Sequence, residues 1–133
     1  MTPMATVRHH VVVNVAASAA WMLLGDPARV AEWFPGITGC TIEGTTRTVT
    51  LGSGLEMPEE LITIDELQRR FQYSLRVPMV RSHLSTLDVL EVDAGRCCCV
   101  YGVDADPAVM ALLIGGNAGD GLVRAKAMLE GGD

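Results

Sequence analysis

The feature that most constrains the fold is a series of six strand-like segments between residues 37 and 106. In each, apolar residues, often β-branched, alternate with polar ones, which is typical of a strand with one buried face. The segments read ITGCTIEG, TRTVTLG, LEMPEELITID, RFQYSLRV, SHLSTLDVLEVD and GRCCCVYGVDAD. Turn sequences separate them at residues 44–45, 52–54, 66–69, 78–81 and 93–95. The pattern therefore predicts an antiparallel sheet.

A further strand and two short helices precede this series. Residues 7–15, VRHHVVVNV, alternate and are rich in valine, which favours a strand. Ser18 is positioned to cap a short helix, AAWMLL. Pro27 suits the first turn of a second short helix, ARVAEW, which Pro35 and Gly36 end.

A helical pattern follows Pro107, with an apolar stripe that runs from Val109 to Leu129. The stretch GGNAGDG, residues 115–121, interrupts it. Each interior glycine costs a helix about 1 kcal/mol relative to alanine, so we expect a kink or local unwinding there. The order of strand, two short helices, six strands and long helix predicts one α+β domain over residues 1–133.

Composition narrows the classes of function. With 133 residues, 49% of them hydrophobic, the chain can bury about two-thirds of its unfolded surface. Its formal charge of -6 argues against nucleic acid, whose binding depends on cationic contacts to phosphate. No apolar run approaches the roughly 20 residues of a membrane span, and no secretory signal pattern is present. We expect a cytoplasmic protein that does not insert into membranes, and a homodimer remains open.

Three consecutive cysteines, Cys97 to Cys99, are the most conspicuous chemical signal. Neighbouring residues of a strand point to opposite faces, so Cys97 and Cys99 share one face and Cys98 takes the other. They cannot surround one metal ion, and disulfides between adjacent cysteines are strained. We expect no metal and no cofactor. Cys99 alone is a candidate ligand contact or thiol nucleophile, if His83 or Ser85 lies on the adjoining strand.

The order of elements, with LLGDPARVAEWFPGITGC, EELITIDELQRRFQYSL and HLSTLDV, resembles the START/SRPBCC superfamily. This group includes birch-pollen allergens, polyketide cyclase/dehydratase-like proteins and plant abscisic-acid receptors. The resemblance implies the helix-grip fold, in which a curved seven-stranded antiparallel sheet wraps around a long C-terminal helix, with two short helices between strands 1 and 2. It also implies a cavity between sheet and helix that holds a hydrophobic small molecule.

The resemblance assigns cavity positions to single residues. It places a glutamate at Glu60, an aromatic residue at Tyr73 and inward polar residues at His83 and Ser85. Tyr101 matches an inward aromatic residue on the last strand, and Asn117 matches a polar position on the long helix. Trp33 and Phe34 lie where such cavities end, so they are candidates for closing the core or for contacting ligand.

Two of these residues could perform acid–base chemistry. Glu60 shares its strand face with Ile62 and Ile64, so an apolar cavity would raise its pKa by desolvation; the adjacent Glu59 is expected at the surface. His83 could hydrogen-bond a carbonyl or shuttle a proton, or simply end a strand, partly exposed.

Three functions remain open at this stage. The first is a non-catalytic binder of an aromatic or polyketide-like molecule. The second is a cyclase or dehydratase in which Glu60 or His83 removes a proton next to a carbonyl and Tyr73 or Tyr101 stabilises the enolate. The third is a structural or regulatory partner protein whose core is filled by its own side chains.

Overall fold

The computed structural model describes residues 4–131, and seven strands form a single antiparallel sheet within them. The strands are β1 (Ala5–Val13), β2 (Ile37–Glu43), β3 (Thr46–Leu51), β4 (Glu56–Asp65), β5 (Arg70–Leu75), β6 (Ser82–Asp93) and β7 (Arg96–Asp106). The helices are α1 (Ala17–Leu24), α2 (Val30–Trp33), which continues a 3₁₀ turn over Pro27–Arg29, and α3 (Ala108–Leu129). Residues 1–3 and 132–133 of the expected domain lie outside the described residues.

The strands are arranged in the order β1-β7-β6-β5-β4-β3-β2, so the first strand pairs with the last. In that pair, His9 lies opposite Tyr101 and Val11 lies opposite Cys99. Helix α3 packs mainly on β1 and β7, while α1 and α2 cover one end of the sheet. This is the helix-grip fold, and the predicted fold class is confirmed. Within residues 4–131, no helix combines the length and apolar character that crossing a bilayer requires.

The short helices begin differently from the prediction. Helix α1 starts at Ala17 with Ala16 as its N-cap, and no side chain caps it, so the predicted cap at Ser18 is wrong. Ser18 falls inside the first turn, two residues after the N-cap position from which a side chain reaches the free N–H groups. At the 3₁₀ turn, Asp26 accepts a hydrogen bond from the Ala28 N–H at 3.0 Å, and Pro27 occupies the first turn as predicted.

Helix α3 is continuous over its 22 residues, so the predicted local unwinding is wrong. The glycines let the helix approach its neighbours closely. A Cβ atom at Gly115 would stand 2.6 Å from Val7 Cγ1, and one at Gly119 would stand 3.0 Å from the ring of His9. One at Gly121 would lie 3.1 Å from the Trp33 ring. Packing gained through this approach offsets the low helix propensity of glycine.

Two adjacent glycines provide a matched test of this explanation. We expect Gly115→Ala to lower the free energy of unfolding by about 1–3 kcal/mol, because the new methyl group overlaps Val7. Gly116→Ala should raise it by about 0.5–1 kcal/mol, since Gly116 has open space around it and alanine favours the helix. Urea unfolding of both variants measures the difference, and equal shifts would contradict the close-packing explanation.

Candidate functional site

A pocket of about 210 Å³ lies between the sheet, the end of α2 and the N-terminal half of α3. Most of its wall is apolar, from Val30, Phe34, Pro35, Ile37, Val49, Leu51, Met57, Leu75, Met110, Leu113 and Ile114. Five polar side chains complete the wall: Arg47, Glu59, Tyr73, His83 and Asn117. The pocket is thus a small apolar chamber with a few polar groups, the usual composition of a small-molecule site.

Arg47 and Glu59 form a buried ion pair in this wall. They are directly opposite each other on β3 and β4, and Arg47 Nε lies 2.7 Å from Glu59 Oε1. Their side chains are only 2% and 8% exposed. The guanidinium also donates from Nη1 to the Pro27 carbonyl at 3.0 Å and lies 4.9 Å from the centre of the Tyr73 ring. Two elements and an aromatic face therefore hold the charge of Arg47 in place.

Burial shapes the titration of both partners. It raises the pKa of Glu59, and the guanidinium charge offsets only part of that shift. Burial by itself lowers the pKa of Arg47. The nearby Glu59 carboxylate acts in the opposite direction, and the net shift is upward. At neutral pH the pair is ionic, because a protonated Glu59 would leave a buried guanidinium without a counter-charge.

Two tyrosine hydroxyls meet behind the pair. The hydroxyl groups of Tyr73 and Tyr101 share a short hydrogen bond in the core. Burial raises the pKa of Tyr73 to about 12 and raises the pKa of Tyr101 as well, so both phenols are neutral at pH 7. Tyr73 lines the pocket, whereas Tyr101 lies against the rings of Trp33 and Phe34.

His83 is a buried wall residue, not a partly exposed strand end. Its Nδ1 accepts a hydrogen bond from the Leu75 N–H at 2.6 Å, and its Nε2 lies 2.8 Å from Ser85 Oγ. Because Nδ1 is the acceptor, Nε2 carries the proton and donates to Ser85. Burial lowers the pKa of His83 to about 4, so the ring is neutral at pH 7. These contacts leave neither ring nitrogen free for a ligand.

The orientations predicted for the two adjacent glutamates are wrong. Glu59 lines the pocket and is 6% exposed, whereas Glu60 is absent from the lining and accepts a hydrogen bond from Thr45 Oγ1 at 2.7 Å. The pairing of β4 with β5 is irregular between Leu61 and Thr63. One extra residue there reverses the alternation, so Ile64 does not share the side of Glu60.

The signal that identifies Glu59 lies on the neighbouring strand. In TRTVTL, Arg47 alternates with Val49 on one face and three threonines occupy the other. Both Arg47 and Val49 are buried, so the arginine follows the valine inward. A buried arginine requires an acidic partner, and Glu59 is directly opposite it.

The remaining candidates divide between the pocket and the core behind it. Phe34 and Asn117 line the pocket together with Tyr73 and His83. Outside the lining, four candidates are buried: Trp33, Ser85, Cys99 and Tyr101. Within residues 4–131, the Trp33 indole N–H has no hydrogen-bond partner.

The cysteines divide between the two faces of β7 as predicted. Cys97 and Cys99 are fully buried and Cys98 is half-buried. Burial raises the pKa of Cys99, which keeps its thiol protonated and unreactive. No group of three or more His, Cys, Asp or Glu side chains suited to a metal ion occurs in the described part of the chain.

The ion pair yields a stability prediction. We expect Glu59→Gln to lower the free energy of unfolding by about 3 kcal/mol, because the buried Arg47 loses its counter-charge. The control is Asp88→Asn, which breaks the more exposed pair with Arg70 and should cost less than about 1 kcal/mol. Urea unfolding at pH 7 measures both, and equal losses would contradict a special role for the buried pair.

His83 yields a pH prediction. Its pKa falls from 6.5 in the unfolded chain to about 4 in the folded one. Between these values only the unfolded chain takes up the proton, so stability falls as the pH falls through this window. The loss attributable to His83 approaches about 3 kcal/mol at pH 4.

The measurement compares the unfolding free energy of the wild type with that of His83→Gln between pH 7 and pH 4. The variant should lose less stability than the wild type over this range, whereas His10→Gln, at an exposed position, should follow the wild type. Parallel curves for all three proteins would show that His83 does not titrate as described.

Solved structures with the same fold share little sequence identity with this chain. The protein XoxI from Bacillus cereus is 22% identical, with a TM-score of 0.87 over 95% of this chain and 96% of the other. The Zhui aromatase/cyclase from Streptomyces sp. R1128 is 19% identical, with a TM-score of 0.78 over 98% and 99%. A norcoclaurine synthase from Thalictrum flavum, with a transition-state analogue, is 18% identical, with a TM-score of 0.75 over 97% of each chain.

The sequence itself carries the family assignment. No functionally curated protein matches the chain significantly. The model of the family described as polyketide cyclase/dehydrase and lipid transport matches residues 4–130. This match, which spans nearly the whole chain, shows that the chain belongs to that family.

Proposed function

We propose that the pocket binds a small, largely apolar molecule, aromatic or polyketide-like, with its polar end toward Arg47 and Glu59. The observation that carries the proposal is the pocket itself, since eleven of its sixteen lining residues are apolar and the polar ones are few. Such a wall favours an apolar body with one polar handle. The volume of about 210 Å³ is below the usual 300–1,000 Å³ for drug-sized ligands, so the ligand is small.

The polar wall determines which groups can meet the ligand. His83 and Tyr73 are already committed to partners within the protein. Arg47, Glu59 and Asn117 are the pocket residues with polar side-chain atoms that have no hydrogen-bond partner in the described part of the chain. The polar handle of the ligand is therefore expected to lie among these three side chains.

Binding without turnover is favoured over cyclase or dehydratase chemistry. The two residues predicted as acid or base do not support turnover, because Glu60 lies outside the pocket and His83 is neutral with both nitrogens engaged. Glu59 does face the pocket, but its ion pair with Arg47 occupies one carboxylate oxygen. The third alternative, a core filled by its own side chains, leaves no room for the observed pocket.

The family description, with its mention of cyclases and lipid transport, supports a small apolar ligand.

The four cysteines all lie within the described residues and form no disulfide. Unpaired thiols are typical of reducing compartments, so we also propose a cytoplasmic location.

A pocket-filling variant tests the proposed function. The probe is 1-hydroxy-2-acetonaphthone, a two-ring apolar molecule with one polar edge. We expect saturable stabilisation of the wild type, about 2.7 kcal/mol at a hundredfold excess over Kd. Ile114→Trp, which fills the pocket from α3, should abolish the stabilisation.

Val123→Trp is the matched control, because Val123 lies on the same helix, is 62% exposed and does not line this pocket. It should retain wild-type binding, measured by thermal shift and isothermal titration calorimetry. Binding that survives Ile114→Trp, or no saturable binding in any protein, would contradict the proposed site.

A further inference from the structure

The two charges in the pocket wall neutralise each other. Of the sixteen lining residues, only Arg47 and Glu59 are ionised at pH 7, since Tyr73 and His83 are neutral. Their atoms Nε and Oε1 lie 2.7 Å apart, so the two charges cancel within one ion pair. The wall therefore has polar groups but no net charge to offer a ligand.

One nitrogen atom and one oxygen atom of the pair nevertheless have no hydrogen-bond partner. Arg47 donates through Nε to Glu59 and through Nη1 to Pro27, and within residues 4–131 its Nη2 has no acceptor. Glu59 accepts through Oε1, and its Oε2 receives no hydrogen bond from the described residues. A ligand that carries an acceptor and a donor side by side, such as a hydroxyl next to a ketone, can bond to both atoms without separating the pair.

We infer that the pocket selects neutral hydroxy-ketone or phenolic ligands and rejects carboxylates of the same shape, because Arg47 and Glu59 neutralise each other. The inference rests on the proposed binding function and adds the charge class of its ligand.

A ligand carboxylate has two ways to bind, and both are unfavourable. Beside the intact pair it approaches Glu59, a like charge in a poorly solvated wall. If it displaces Glu59 from Arg47, it leaves that carboxylate buried and unpaired, because within residues 4–131 Arg47 is the only cation in the pocket lining. A neutral ligand avoids both penalties.

The experiment compares two probes of nearly equal shape, 1-hydroxy-2-acetonaphthone and 1-hydroxy-2-naphthoate, by isothermal titration calorimetry at pH 7. In the wild type, the ketone should bind at least about tenfold more tightly than the carboxylate. Glu59→Gln leaves Arg47 without its counter-charge, so it should lower the ratio of ketone affinity to carboxylate affinity by at least about tenfold. Asp88→Asn removes an acidic residue outside the pocket and should keep the wild-type ratio.

A second variant covers the case in which Glu59→Gln does not fold. Asn117→Lys adds a positive charge at the exposed side of the pocket wall and leaves the pair intact, so it should also improve carboxylate binding relative to ketone binding. Equal or tighter binding of the carboxylate by the wild type overturns the inference and leaves the proposed function standing. The inference is also overturned if the folded variants keep the wild-type ratio. If neither probe binds the wild type, the proposed function fails, and the inference with it.

Discussion

The close approach of helix α3 to its neighbours is the constraint on which the rest of the structure depends. Three glycines let the helix backbone lie against Val7, His9 and Trp33, which belong to the first strand and to the second short helix. With the helix seated in this way, its first half forms one wall of the pocket through Met110, Leu113 and Ile114. The glycine-rich stretch is therefore a packing surface, and it sets the position of the helix segment that lines the pocket.

The opposite wall solves a different physical problem, the burial of polar groups. Arg47 bonds to Glu59 and Pro27, Tyr73 to Tyr101, and His83 to Leu75 and Ser85. Each arrangement joins different strands or elements, so the polar groups also fix how the strands meet. Because most hydrogen-bonding capacity is used internally, the few atoms left over define what the site can recognise.

Much of the fold could be predicted from the sequence. The six segments after residue 37 became strands β2 to β7 with ends that differ by at most two residues, because turn residues and period-2 alternation agree there. The same alternation predicted which face of β7 each of Cys97, Cys98 and Cys99 occupies. The family resemblance supplied what alternation does not, the wrapping of the sheet around the helix.

The candidate site was less predictable, for two physical reasons. An extra residue near Ile62 reverses the alternation of β4, and nothing in LEMPEELITID marks that irregularity, so Glu60 was expected in the pocket and Glu59 outside it. The continuity of α3 depends on contacts with Val7 and Trp33, which are distant in the sequence. Local propensity therefore predicted local unwinding that tertiary packing prevents.

The pairing of β1 with β7 has a consequence for how the chain folds. Ala5 meets Ala105, so the first strand must wait for nearly the whole sequence before it gains a neighbour. Closing the long loop between β1 and β7 costs entropy before their stabilising contacts form, which slows folding relative to chains with local pairings. During synthesis, β1 remains an exposed, valine-rich strand while the middle strands can already form hairpins. The pairing of β1 with β7 thus also completes the surface on which α3 packs. The pocket is complete only when β1, β7 and α3 are all in place.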